Sequence, residues 1–234
     1  MTWSIIARDA SGAFGVAVAT RFFAVGALCP HAESSVGALC TQALINPYYG
    51  SQGLELLRAG IAAPDVVRQL AAPDEGREHR QLHVIDDEGR IGQHTGAKCV
   101  DWCGATGGDG FSVAGNMLVG PRVIEETARA FKASTRPFAE RLIEAMEAGE
   151  VAGGDKRGRQ SAALLVYSGE QYASLNLRVD DHADPLAELR RLYDKAHERF
   201  IPYLMCSPSK ARPWGLLDRA LIEQEIAAYK RPAS

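Results

Sequence analysis

Three stretches of the 234-residue chain carry side chains able to do chemistry, and the first begins at the second residue. Thr2 follows Met1 directly, and its small side chain is compatible with removal of that methionine. The freed α-amine would titrate near about 7.7–8.0, so part of it is neutral at pH 7. A neutral amine can take the proton of the hydroxyl on its own residue. That is the threonine–terminal-amine form of an activated nucleophile. Met-Thr is also an ordinary way for a protein to begin, so the dipeptide alone leaves both readings open.

The second stretch is Gly153-Gly154-Asp155-Lys156-Arg157-Gly158-Arg159-Gln160-Ser161. Its glycines let a backbone approach a ligand, and it gathers three cations, a carboxylate, an amide and a hydroxyl. Arg157 or Arg159 could clamp a substrate carboxylate with a planar fork, beside Lys156. Asp155 could pair with a neighbour or accept a substrate N–H. The spacing is not that of a Walker loop, and a solvated turn explains the composition equally well. The third stretch, Arg178-Val179-Asp180-Asp181-His182 with Asp184 beyond, has metal-ligand residue types. Alternation along a strand would point its members to opposite faces. Asp184-Pro185 also reads as the cap and first residue of a helix.

Other candidates are scattered. Cys99 and Cys103 lack the second pair or spaced histidines of a zinc site. His79, His83 and His94 flank a hairpin and need no role beyond hydrogen bonding. Gln42, Asn46 and Asn116 are amides in small-residue, apolar surroundings. Each is either a satisfied core amide or an oxyanion or substrate contact. Asn46 suits the core, and Asn116, ending a strand, suits the site.

The elements that must position these residues follow from periodicity. A hairpin runs 3–8 and 14–19 across Asp9-Ala10-Ser11-Gly12. Further strands are expected at 23–28 and 35–42, a second hairpin at 82–85 and 90–95, and a strand at 111–116. A third hairpin pairs 162–167 with 172–179. Helices are expected around Leu54–Ile61 and Pro64–Leu70, then around Val123–Phe131 and Phe138–Met146. Two more follow, one from about Pro185 (Leu189, Leu192, Ala196 inward) and one over about 216–229. Antiparallel hairpins alternating with helix pairs predict two antiparallel sheets face to face, helices outside. The division expected is one domain over 1–192 and a helical extension over 193–234.

Composition narrows the function. Lys and Arg number 26 against 29 Asp and Glu, a net charge of −3 that gives no sign of a nucleic-acid partner. No apolar run nears the roughly 18 residues of a membrane span. Five cysteines, an odd number, and a start unlike a signal peptide favour a reducing cytoplasm. The two tail helices carry apolar faces (Leu189, Leu192, Ala196; Leu216, Leu217, Ala220, Leu221) that need covering. A homodimer or higher homo-oligomer is one solution; packing onto the same chain is the other.

Several longer motifs carry a resemblance. They are Thr2-Trp3-Ser4-Ile5-Ile6-Ala7-Arg8-Asp9, Gly15-Val16-Ala17-Val18-Ala19, Arg21-Phe22-Phe23-Ala24-Val25-Gly26 and Cys40-Thr41-Gln42-Ala43. Asn46-Pro47-Tyr48-Tyr49-Gly50, Gly115-Asn116-Met117-Leu118 and the 153–161 and 178–182 stretches complete it. Over roughly 2–192 the chain resembles the domain-of-unknown-function family numbered 1028, grouped with the N-terminal-nucleophile (Ntn) hydrolases. The resemblance implies an α+β fold, a four-layer αββα sandwich with a helical C-terminal tail, and Thr2 as nucleophile. Proteasome-type members place a lysine near the nucleophile; here Arg21 stands by position, and it cannot act as a neutral base. The expected activity is hydrolysis of an amide or related C–N bond in a small anionic metabolite, without cofactor or metal. Thr2 and Asn116 would be catalytic; Arg21, Gln42, Asp155, Lys156, Arg157 and Arg159 would bind substrate. The alternatives are a non-catalytic ligand-binding protein on that scaffold, and a metal-dependent enzyme using Asp180, Asp181 and His182.

Overall fold

Asp9 sets the first hairpin. Its carboxylate accepts from the backbone N–H of Ser11 and Ala13 and from the Ser11 hydroxyl, while Gly12 turns at φ +85°. Such local side-chain bonding is what makes this tetrapeptide a turn. Strands β1 (Thr2–Arg8) and β2 (Phe14–Thr20) therefore pair antiparallel, from Trp3↔Ala19 to Arg8↔Phe14. The computed structural model describes residues 2–231.

Eight further strands complete two sheets: β3 (Pro30–Glu33), β4 (Gly37–Ala43), β5 (Arg80–Asp86), β6 (Ile91–Thr95), β7 (Trp102–Gly108), β8 (Phe111–Leu118), β9 (Ser161–Tyr167) and β10 (Leu175–Val179). One sheet has the order β10-β9-β2-β1-β8-β7 and the other β3-β4-β5-β6, with every neighbouring pair antiparallel. Alternation along β1 divides its side chains between two layers. Trp3, Ile5 and Ala7 join a core beneath α3 (Arg122–Ala133), α4 (Phe138–Val151) and α5 (Pro185–Glu198). Ile6 joins Phe14, Val16, Val18, Cys40 and Ile85 between the sheets. Leu39, Leu82 and Val84 face outward from the smaller sheet onto α1 (Tyr48–Arg58) and α2 (Ala63–Ala71). The fold is a four-layer αββα sandwich.

Two glycines set how closely the layers approach. A Cβ on Gly15 would sit 2.4 Å from Leu142 of α4, and one on Gly92 would sit 2.3 Å from the Ala63 carbonyl of α2. Only a bare backbone fits there.

The structure departs from the sequence reading in five places. Residues 23–28 form no strand: Ala24 is left-handed (φ 54°), Val25–Ala27 is a 3₁₀ turn, and Phe22 and Phe23 stay exposed. The short β3 takes that role instead. Strand β7 was hidden by its three glycines and lack of alternation. The third hairpin resumes at Leu175 rather than Tyr172, whose hydroxyl instead reaches the Pro208 carbonyl at 2.6 Å. In the tail, a short α6 (Phe200–Met205) stands between the two expected helices, and α7 spans Arg219–Ala228. Asp218 caps α7 by accepting from Ala220 and Leu221 N–H, which leaves Leu216 and Leu217 outside the helix.

The boundary expected at 192/193 falls inside α5, whose Leu189, Tyr193 and Ala196 all belong to the main core. That apolar face is covered by the chain itself. Beyond it, α7 buries no residue, and Trp214 and Leu217 are exposed. Among the described residues no helix is long and apolar enough to cross a membrane.

Candidate functional site around Thr2

The alternation that sends Trp3 outward sends Thr2 and Ser4 into the space between the sheets. Thr2 opens β1, opposite Asn116 of β8, and its hydroxyl donates to the Thr20 hydroxyl at the end of β2, at 3.3 Å. It is 4% exposed. A threonine here is held rather than solvated.

Behind it the inter-sheet layer is polar. Gln81 of β5 donates to the carbonyls of Gly104 (3.1 Å) and Gly115 (2.9 Å) and to the Thr95 hydroxyl. Carbonyls only accept, so this fixes which way the Gln81 amide faces. Its Oε1 must then accept, and it does so from Gln42 Nε2 (2.7 Å) and Asn116 Nδ2 (2.9 Å). The same two amide nitrogens also donate to the Thr2 carbonyl, at 3.4 and 3.3 Å. Polarity propagates from there. Gln42 Oε1 accepts from the Ser4 hydroxyl (2.7 Å), so Ser4 accepts from His83 Nε2 (2.9 Å), and His83 Nδ1 is hydrogen-bonded to the Ser112 hydroxyl (2.9 Å).

One group is left over. Asn116 Oδ1 is buried and has no hydrogen-bond partner. Flipping the amide would set oxygen against two acceptors, so the spare atom of Asn116 is an acceptor. Both amide hydrogens are engaged, which is opposite in sign to the oxyanion donor expected from the sequence.

The 153–161 loop reaches Thr20, the residue that receives the Thr2 hydroxyl, through the Gln160 N–H and the Thr20↔Ser161 pair. Gly153, Gly154 and Gly158 all have positive φ, and Asp155 bridges to Leu118. The buried Asp155 carboxylate accepts from the backbone N–H of Arg21 (2.7 Å) and Arg157 (2.8 Å), and the Arg157 guanidinium sits 3.3 Å away. Arg21 in turn donates to the Arg157 carbonyl at 2.9 Å. Arg21, Asp155 and Arg157 therefore form one group next to Thr20. Lys156 pairs with Asp101 at 3.3 Å, and Arg159 turns to Glu150 and Asp184. Asp155 is an organiser of the loop, its acceptor positions already filled.

Next to Asn116, the cross-strand partner of Thr2, a cleft of about 240 Å³ is walled by Ala43, Leu44, His79, Lys98, Asn116 and Met117. Ala43 (φ 69°) and Met117 (φ 52°) are left-handed although neither is glycine. Such conformations cost of order 1–3 kcal/mol each and concentrate at functional sites. A more apolar cleft of about 380 Å³ lies at the far end of β1, near Asp9 and Ser11, away from this chemistry.

The Asp-Asp-His stretch does not converge. Asp180 pairs with Arg178, Asp181 accepts from Gln160, and His182 bonds the Asp184 backbone. Among the described residues no three His, Cys, Asp or Glu side chains gather to hold a metal, so the metal-dependent alternative loses its site. Asn46 bonds Asp74 at 3.3 Å, a structural contact. Sequence reasoning missed Gln81 and gave His83 no role. Their spacing of two in a strand, which puts both on one face, was the available signal.

Fold and site together define an αββα sandwich with a buried threonine at the mouth of its inter-sheet layer. The chain belongs to the family of unknown function DUF1028, whose model matches residues 2–189. It is similar to the crystal structure of protein SPO2555 from Silicibacter pomeroyi, a DUF1028 protein, with 32% identity and a TM-score of 0.87 over 93% of this chain and 96% of that chain. Anbu (ancestral beta-subunit) from Yersinia bercovieri matches at a TM-score of 0.43 and 11% identity, over 83% of this chain and 94% of that chain. No curated protein matches the chain.

Proposed function

We propose that the protein is an Ntn-type hydrolase of an amide or related C–N bond in a small anionic metabolite. The observation that carries this is the placement of Thr2, buried at the start of β1, hydroxyl on Thr20, carbonyl held by two side-chain amides. Removal of Met1 would free the α-amine. That amine takes the Thr2 hydroxyl proton as Oγ1 attacks the substrate carbonyl carbon, then passes it to the leaving nitrogen. Water releases the acyl group from Oγ1 and restores the hydroxyl. Arg21 and Arg157 would orient the substrate's anionic end, with Asp155 holding both in place.

The reading also places the protein in the cytoplasm, where its five free cysteines stay reduced. It assigns the uncovered α7 face to self-association. Intact-mass measurement tests the mechanism first. Loss of Met1 is expected, and Thr2→Ala should abolish turnover of amides and ureides in a protein that still folds, at a stability cost of about 1 kcal/mol for the buried bond to Thr20. Wholly retained Met1 would remove the amine base. With small-molecule binding but no turnover, it would favour a ligand-binding protein on the same scaffold.

A further inference from the structure

The end of the sandwich away from Thr2 carries two adjoining clefts. The apolar one, of about 380 Å³, takes its surface from Phe138, Val166, Leu175, Ile201, Leu204 and Met205. The polar side chains along it are already committed within the chain. Asp9 Oδ1 accepts the donors of its own turn, Ser168 bonds Ser174, Glu170 accepts from the Lys210 backbone N–H, and the Tyr172 hydroxyl donates to Pro208. Ser207 and Ser209 bond Tyr203 and Arg212. What this cleft has left to offer a ligand is apolar surface, in a volume within the roughly 300–1,000 Å³ of small-molecule sites. The second cleft, of about 500 Å³, shares Ser11, Ala13 and Ser168 with the first and adds Arg8, Ser35 and Asp87. Arg8 stands at the other end of seven-residue β1, about 20 Å from Thr2. Its Nε is buried without a partner. Nη1 and Nη2 bond no described residue either, and they reach the cleft: Nη2 lies 3.7 Å from where a Cβ on Gly12, part of the same wall, would sit.

We infer that the two clefts form one site for a medium-chain carboxylate, its head on the Nη fork of Arg8 and its alkyl chain along Phe138, Leu175, Leu204 and Met205. A planar fork with both Nη groups uncommitted matches a carboxylate in two-point fashion. The other charges nearby set the head's charge. Asp9, Glu170 and the exposed Asp87 face the clefts, and Lys210 Nζ sits on the Gly169 carbonyl at 2.7 Å. Among so many carboxylates a single negative charge is tolerated where a doubly charged phosphate would meet twice the repulsion. The site is separate from the surroundings of Thr2, so it stands whether or not Thr2 is a nucleophile.

The probes are butanoate, octanoate and octan-1-ol, with binding measured calorimetrically on the full-length protein. Affinity should rise from butanoate to octanoate by about 2- to 4-fold per methylene. Octanoate should bind about 5-fold or more tightly than octan-1-ol, whereas plain apolar adsorption would favour the alcohol. Arg8→Met should abolish the preference for the carboxylate and keep the dependence on chain length. Met205→Glu, at a position 66% exposed and so able to carry a charge in the folded protein, should weaken octanoate about 5-fold or more. No binding of octanoate at about 10 mM overturns the inference, as does an alcohol bound as tightly as the carboxylate or an affinity indifferent to chain length. A preference that survives Arg8→Met, or indifference to Met205→Glu, overturns the placement; octanoate held by Arg21 and Arg157 instead would show both. Should Arg8→Met fail to fold, the three probes on the parent and on Met205→Glu decide.

Discussion

Replacing Gln81 by leucine deletes the hub of the inter-sheet network while nearly keeping its volume. Gln81 has five hydrogen-bond partners: it accepts from Gln42 and Asn116, and its two amide hydrogens are shared among Thr95, Gly104 and Gly115. Thr95 is half-buried and can turn to water; the other four bonds have no such recourse. At about 1 kcal/mol net per buried bond the loss is about 4 kcal/mol. Burying leucine in place of an amide returns about 1 kcal/mol, so about 3 kcal/mol should go. For a chain of this size that lowers Tm by about 6–12 °C. Scanning calorimetry of parent and variant checks it, and a shift below about 2 °C would refute the assignment of Gln81 as hub. Gln81→Glu tests the polarity. A glutamate there must stay protonated to donate to Gly115, so its folded pKa is raised above the ordinary value near about 4.3. Its stability relative to parent should then fall as pH rises past that value, by about 1.4 kcal/mol per unit until the folded pKa is reached. A Glu variant that gained on the parent between pH 5 and 8 would contradict the derived orientation.

Other expectations follow from the same contacts. Asp155→Asn offers one acceptor to two backbone N–H groups, so about 1–2 kcal/mol should be lost and proteolysis should concentrate near Arg157. Hydrogen bonding from Tyr49, then Arg80, Gly76 and Asn46, holds Asp74 well below the usual carboxylate range against the effect of burial. Its contribution to stability is therefore full above about pH 3.9 and lost as pH falls further; Asp74→Asn should flatten that part of an acid titration followed by circular dichroism. Arg157→Lys should raise KM on a confirmed substrate, because a point ammonium cannot reproduce the planar fork; unchanged kinetics would make the loop a solvated turn. Light scattering at micromolar concentration should give a mass of twice 25.2 kDa or more, and 25.2 kDa would refute self-association.

Legibility followed the range of the causes. The β1–β2 hairpin was readable because Asp9 and Gly12 make the turn within five residues. Helices α3 and α4 were readable because Val123, Ile124, Thr127, Ala128 and Phe131, and then Leu142, Ala145 and Met146, are buried at helical spacing. The 23–28 segment misled because apolar residues there serve a turn, with only Val25 buried along the 3₁₀ stretch. At the site, Thr2, Gln42 and Asn116 stood out by residue type. What joins them did not, since the network draws on β1, β4, β5 and β8, and its centre is 35 residues from Asn116. The role of Asp155 was hidden for a similar reason: its partner N–H belongs to Arg21, 134 residues away.

The polar layer has a consequence for how relatives of this chain can differ. Apolar contacts between sheets tolerate exchange one residue at a time, since methyl groups repack with little regard to direction. A hydrogen-bond chain with fixed donors and acceptors does not. Changing Gln81 to an acceptor strands both glycine carbonyls, changing it to a donor strands Gln42 and Asn116, and each repair shifts the mismatch one position along, through Ser4 and His83 to Ser112. Across related sequences these positions should therefore change together or not at all, while neighbours such as Val16 and Ile85 drift independently. A relative that kept threonine at the start of β1 but broke the set at a single member would mark a lineage whose inter-sheet layer has been rebuilt.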